Sequence, residues 1–324
     1  CYGHYSYTLV ATAVNTLPQR LEMPFSLINT PSLRMTGVPI ALNELYPGWV
    51  LSNNFYSVIR GEKKFVQRRR KAATLPCQRG RVIYETKAIR SDTVAMMIDA
   101  RQHLQSVTPK DTQLRDARGG AVYTSKHLRG IGKNYLTEAA RQGGIKVYSE
   151  FIVYYAVRVL WRALQEGLLP ENVLVSSSST DIVRGSSDVD VSPSTSLMAV
   201  DDTSSIIEQS HSAILEWQAI ARPIAIAELD TQHQQCLEPL QFVQSALDLL
   251  VKFQYTLAER VLTSKQKDDK RGPRIILDYA SAHRPAEVSD LVVTAARREA
   301  DQLEKDVRMY FRRRDKSVAV VAKL

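Results

Sequence analysis

One stretch constrains this chain more than any other: IKVYSEFIVYYAVRVLWRALQEGLL, residues 145–169, bracketed by Gly143-Gly144 and by Pro170. Glycine pairs and proline are helix punctuation. Between them Val147, Phe151, Ile152, Tyr155, Val159, Leu160 and Leu164 spread over nearly every face of a helix. A helix that is apolar all round is a buried one. Glu150, Tyr154, Arg158 and Arg162 recur every four residues and leave one narrow polar stripe. Glu166 stands four after Arg162, a favourable pairing. The charges interrupt every apolar run before about 18 residues, which excludes a membrane span. The rest of the chain is expected to pack around this helix.

At 324 residues, 44% of them apolar, the chain has enough material for a sizeable core. The start, CYGHYSYTLV, has no basic segment followed by an apolar one, so it is not a secretory signal. A start at Cys1 is expected to reflect truncation or processing. Cys1, Cys77 and Cys236 are too few and too scattered for a disulfide framework or a zinc site. Free thiols suit a reducing compartment. The six histidines are equally dispersed, so no metal and no cofactor is expected from them.

The net charge of +9 hides an asymmetry. Between Arg60 and Arg90 stand eleven Lys and Arg against Glu62 and Glu85. Between Glu171 and Arg260 stand four basic and thirteen acidic residues. One region therefore suits an anionic partner such as nucleic acid. The opposite charges equally suit head-to-tail association of copies.

In chain order, residues 1–58 read as an extended arm. YSYTLVATAV is strand-like, and the apolar segment after it carries a proline every several residues, which forbids a long helix. Such an arm must lie on its own domain or on a neighbouring subunit. LSNNFYSVI reads as a further strand. Residues 59–90 are the basic segment. Lys63, Lys64, Arg68, Arg69, Arg70, Lys71, Arg79 and Arg81 are its candidate nucleic-acid contacts, because clustered Lys and bidentate Arg neutralise phosphates. Residues 91–324 read as a helical body. SDTVAMMIDARQHLQS is a helix capped by Ser91 or Asp92. RDARGGAVYTSKHLRGIGKNY contains Gly-Ile-Gly-Lys, but His127 and Asn134 stand where a nucleotide-binding phosphate loop needs glycine and Ser/Thr. It reads instead as a mobile, basic, second nucleic-acid contact.

Residues 176–205 form a Ser/Asp-rich insertion. Within it Arg184-Gly185-Ser186-Ser187-Asp188-Val189-Asp190-Val191 resembles the Ser-Asp-x-Asp strand of the polymerase-β-like nucleotidyltransferases. The resemblance covers residues 172–230 and implies Asp188 and Asp190 as Mg²⁺ ligands, with Asp230, after the strand-like RPIAIAEL, as a third carboxylate. Ser176 to Ser179 stand where that family has a Gly-Ser turn. Further on, a helix starts at Pro239, ends in Lys265 to Lys270 and is closed by Gly272-Pro273. RIILDYA reads as a short strand or helical turn. A last helix runs from about 285 to Arg314, with Arg312, Arg313 and Arg314 suited to its C-terminal dipole. SVAVVAKL reads as a β-like tail.

The expected fold is mainly α with minor β: a helical body around the buried helix 145–169, after a proline-punctuated arm, with β-structure in the arm, at 172–191 and at 224–229. The expected function is structural, in a nucleoprotein assembly such as a viral capsid, nucleocapsid or inner shell. Its partners would be copies of itself, a larger shell protein and nucleic acid, RNA above all, with no membrane. Its place would be cytoplasmic or in a virion. The alternatives are the Mg²⁺-dependent nucleotidyltransferase and an RNA-binding subunit of a cellular ribonucleoprotein.

Overall fold

The computed structural model describes residues 7–11, 14–16, 18–31, 35, 37–74, 87–174, 212–229, 238–286 and 288–321, with the side chains at 69, 72–74, 212 and 315–321 excepted. The fold is mainly α with a little β, as the sequence indicates. The chain divides into two units: residues 1–155 with 249–324, and residues 156–248.

The first unit holds one five-stranded sheet. Its strands are β1 (Leu9–Val10), β2 (Leu27–Asn29), β3 (Asn43–Tyr46), β4 (Val122–Thr124) and β5 (Asn134–Thr137). The order across the sheet is β1-β2-β3-β5-β4. β1 is parallel to β2 and β3 to β5, while β2 runs antiparallel to β3 and β4 to β5. Four apolar residues of the N-terminal segment are buried in this unit, Leu21, Met23, Phe25 and Ile28 being 0–3% exposed, while Leu9 is 37% and Ile40 84% exposed. Tyr148 donates to the carbonyl of Pro24 at 2.7 Å. Prolines keep the segment out of a helix, and its apolar residues give it a reason to lie on the sheet.

The extended reading ends at Trp49. Residues read as a strand form α1 (Trp49–Asn53) and the start of α2 (Phe55–Thr74). The β-propensity of Phe55, Tyr56, Val58 and Ile59 is overridden because three of these four are buried on one helical side. α3 (Ser91–Gln105) lies where the sequence puts it, but its cap is Arg90, whose amide donates to Thr93 Oγ1 at 3.0 Å.

The buried helix is α4 (Glu138–Gln165). Gly143 and Gly144 lie inside it, not before it. Its start is set by Thr137, whose Oγ1 accepts from the Ala140 amide at 3.3 Å. It also stops short of Leu169. Leu168 N donates to Ala163 O and Gly167 N to Leu164 O, with Gly167 at φ +101°, which is a Schellman ending that glycine permits. The last helices of the first unit are α8 (Tyr279–Ala282) and α9 (Leu291–Val321). RIILDYA is therefore turn and short helix. The β-like tail continues α9 as helix to Val321, so Arg312 to Arg314 lie within a helix instead of at its end.

In the second unit, a single 3₁₀ turn (Pro170–Asn172) precedes α5 (Ser212–Glu216), a π-helical turn (Trp217–Ala221) and α6 (Arg222–Leu229). RPIAIAEL is helical, contrary to the strand expected at 224–229. Pro223 has no amide to donate and stands directly after the π-helical turn in a helix that continues without a break. The preceding register slips by one residue, with Arg222 N donating to Trp217 O. Trp217 is fully buried, and its Nε1 donates to Val173 O at 3.3 Å. α7 (Pro239–Arg271) begins in this unit and ends in the first.

Candidate nucleic-acid interface

α2 carries most of the candidate contacts and is anchored along one side. Phe55, Tyr56 and Val58 are 3–8% exposed. The Tyr56 hydroxyl donates to Asp290 Oδ2 at 3.0 Å. Burial, and then the adjacent Asp290 carboxylate, push this hydroxyl's pKa well above the usual tyrosine value. Six residues on, Glu62 accepts from the Ala88 amide at 2.8 Å and lies 3.5 Å from Lys87 Nζ. The one carboxylate of the helix is thereby turned to the protein.

With 3.6 residues per turn, Arg60, Lys63, Lys64, Arg68, Arg70 and Lys71 fall within one arc of about 160°, which leaves out Phe55, Val58 and Glu62 and overlaps the anchored side at Tyr56. Arg60, Lys64, Arg68, Arg70 and Lys71 are exposed, and Lys63 is half-buried. Lys71 also has an interaction within the chain. The guanidinium of Arg68 lies 5.8 Å from the ring centroid of Phe65, which holds it against the helix. Of the sequence candidates, Lys63, Lys64, Arg68, Arg70 and Lys71 are thus brought onto one face. The Arg69 side chain, Arg79 and Arg81 lie outside the described residues, as do Asp188, Asp190 and Asp230. Arg60 is a member that counting consecutive charges missed. Its signal is the four-residue spacing Arg60, Lys64, Arg68.

The glycine-rich stretch does not match the phosphate-loop spacing in its sequence. It supplies the hairpin β4–β5, and its loop is pinned. Glu22 N donates to Gly130 O at 2.7 Å, and Lys133 N donates to Gln19 Oε1 at 2.7 Å. Among the described residues no group of three or more His, Cys, Asp or Glu is placed to hold a metal ion. Among them, too, no helix is long and apolar enough to cross a membrane. Comparison with known proteins returns no match to any family, curated protein or solved structure.

Proposed function

We propose that this chain is a structural protein of a nucleoprotein assembly and that it holds nucleic acid, RNA in the first instance, on the exposed face of α2. The supporting observation is the sidedness of that helix: six cations share one arc, and the one carboxylate faces inward. A rigid helix fixes the spacing of these charges. From Arg60 to Lys71 the face is about 17 Å long at 1.5 Å per residue, enough to follow several phosphates. Cations held at fixed spacing along a rigid helix suit the phosphate backbone, whose contacts carry no sequence information. Binding without sequence preference is what a packaging protein needs, as in a capsid, nucleocapsid or inner shell, in the cytoplasm or in a virion. Its protein partners would be further copies or a larger shell protein.

The test is the salt dependence of binding to a labelled single-stranded 20-mer RNA, read by fluorescence anisotropy. Five to six phosphate contacts give a log–log slope of about −4, hence a loss of about 250-fold between 50 and 200 mM salt. Arg68→Gln with Arg70→Gln should flatten the slope by about 1.4. An affinity indifferent to salt, or to this double variant, would remove the phosphate contact. For the assembly, light scattering with absorbance at 260 and 280 nm should show a large species that carries nucleic acid and falls apart at high salt. A small, nucleic-acid-free species would sink that part.

A further inference from the structure

The β4–β5 loop and the chain before β2 enclose an open cleft of about 520 Å³, lined by Arg20, Glu22, Lys126, His127 and Arg129 among others. Its single carboxylate, Glu22, is nearly buried and already engaged. Arg20 Nε lies 2.9 Å from it, Arg129 Nε 3.5 Å and His103 Nδ1 4.0 Å. Both arginines meet it through Nε and stay exposed, at 60% and 77% of the side chain. Lys126 is exposed beside them. The Thr124 amide donates to His127 Nδ1 at 3.2 Å, so the neutral ring carries its proton on Nε2, as a donor. The side chains around the cleft thus offer donors, and the one acceptor among their carboxylates is taken.

The cleft is also preformed. Gly130 has φ +85° and Gly132 φ +61°, a region that favours glycine. A Cβ on Gly130 would lie 2.9 Å from Glu22 Cβ, and one on Gly132 2.9 Å from the Arg20 carbonyl oxygen. The loop therefore approaches the Gln19–Glu22 backbone in a way that only glycine allows. Glu22 orients two guanidinium forks, and forks are the geometry that grips a tetrahedral oxyanion in pairs of hydrogen bonds.

We infer that this cleft is a phosphate-binding site and that, in the assembly, it takes a backbone phosphate as a second contact to the nucleic acid. The second half of the inference rests on the proposed function; the first half does not. The experiment is an amide NMR titration of the full chain, first with inorganic phosphate and then with the 20-mer RNA. Phosphate should shift the amides of residues 125–133. Arg20→Gln with Arg129→Gln should weaken it at least about tenfold, and Lys305→Gln, on the exposed side of α9, should leave it unchanged. The exposed Lys126→Gln, expected to weaken phosphate in the same direction, carries the test if the double variant fails to fold. With RNA, the cleft variants should flatten the salt slope by about 0.7 per phosphate lost. If phosphate shifts these amides while RNA does not bind at all, the phosphate site stands and the α2 reading falls. If RNA binds and no cleft variant alters its slope, the nucleic-acid half is overturned. If phosphate leaves residues 125–133 unshifted, the site is overturned.

Discussion

Gly143 and Gly144 are neighbours in the same helix and should respond to alanine in opposite ways. Glycine in a helix interior costs about 1 kcal/mol relative to alanine, and that gain is available at both positions. At Gly143 a Cβ would meet nothing within 4 Å, so the gain is realised in full. At Gly144 the added Cβ would lie 2.7 Å from Pro47 Cβ and 2.9 Å from Leu104 Cδ1. Pro47 stands in the turn between β3 and α1, and Leu104 is completely buried in α3, so neither yields freely. Overpacking of this kind costs about 1–3 kcal/mol. Because propensity cancels between the two variants, their difference isolates the packing cost. Gly143→Ala should be the more stable of the pair by about 1–3 kcal/mol, and more stable than the parent by up to about 1 kcal/mol. Urea denaturation followed by far-ultraviolet circular dichroism measures both. Equal midpoints, or a more stable Gly144→Ala, would refute the close approach of Pro47 to α4.

Three further outcomes are expected. Asp290 Oδ1 accepts from the amides of Val292 and Val293 at 2.9 and 3.0 Å, while Oδ2 holds Tyr56. Asp290→Ala therefore loses the cap of α9 and strands a buried hydroxyl, for about 2–4 kcal/mol in the same urea assay; Tyr56→Phe in that background should cost little more. The hydrogen bonds from Arg141, helped by those from Tyr123 and Gln142, hold Glu138 down from 4.5 to about 2. A depressed carboxylate stabilises above its unfolded pKa and loses that contribution as pH falls. Glu138→Gln should thus melt below the parent at pH 7, and the gap should close between pH 4.5 and about 2; a gap constant with pH would rule out the ionised pair. Gly132→Ala, forced to φ +61° and against the Arg20 carbonyl, should destabilise by about 1–3 kcal/mol in thermal melts.

The buried helix was legible because its signal is physical and local: apolar residues on every face require burial whatever packs against them. Its ends were less so. The boundary at Gly143-Gly144 followed from glycine's low helix propensity, whereas the structure uses Gly144 for a close approach. The true signals, Thr137 before Glu138 at one end and Gly167 at the other, are capping residues that the glycine pair and Pro170 outshouted. β-branched content misled three times, at FYSVI, at RPIAIAEL and at SVAVV. In the first, burial of Phe55, Tyr56 and Val58 against the first unit decides the matter, and that burial is tertiary. In the second, a π-helical turn before Pro223 lets the helix run on, a register change with no local sequence cue.

The candidate interface shows where sequence reading stops for a different reason. Eleven cations between Arg60 and Arg90 are visible in composition, yet composition gives no direction. Direction comes from the helical period, which sets Glu62 among the inward residues and Arg60 among the outward ones. Once α2 is known to be a helix, the face can be drawn from the sequence alone; reading FYSVI as a strand concealed it. The cleft is another case. Arg20 and Glu22 are separated from Lys126 and Arg129 by more than a hundred residues, and only the route of the chain joins them. A salt bridge between distant residues leaves no trace in a single sequence. What does leave one is the spacing Gly130, Gly132: two glycines one residue apart in a basic stretch that fails as a phosphate loop. The backbone conformation they permit brings the loop against Glu22 and so builds the donor-rich site the failed motif had suggested, by a different geometry.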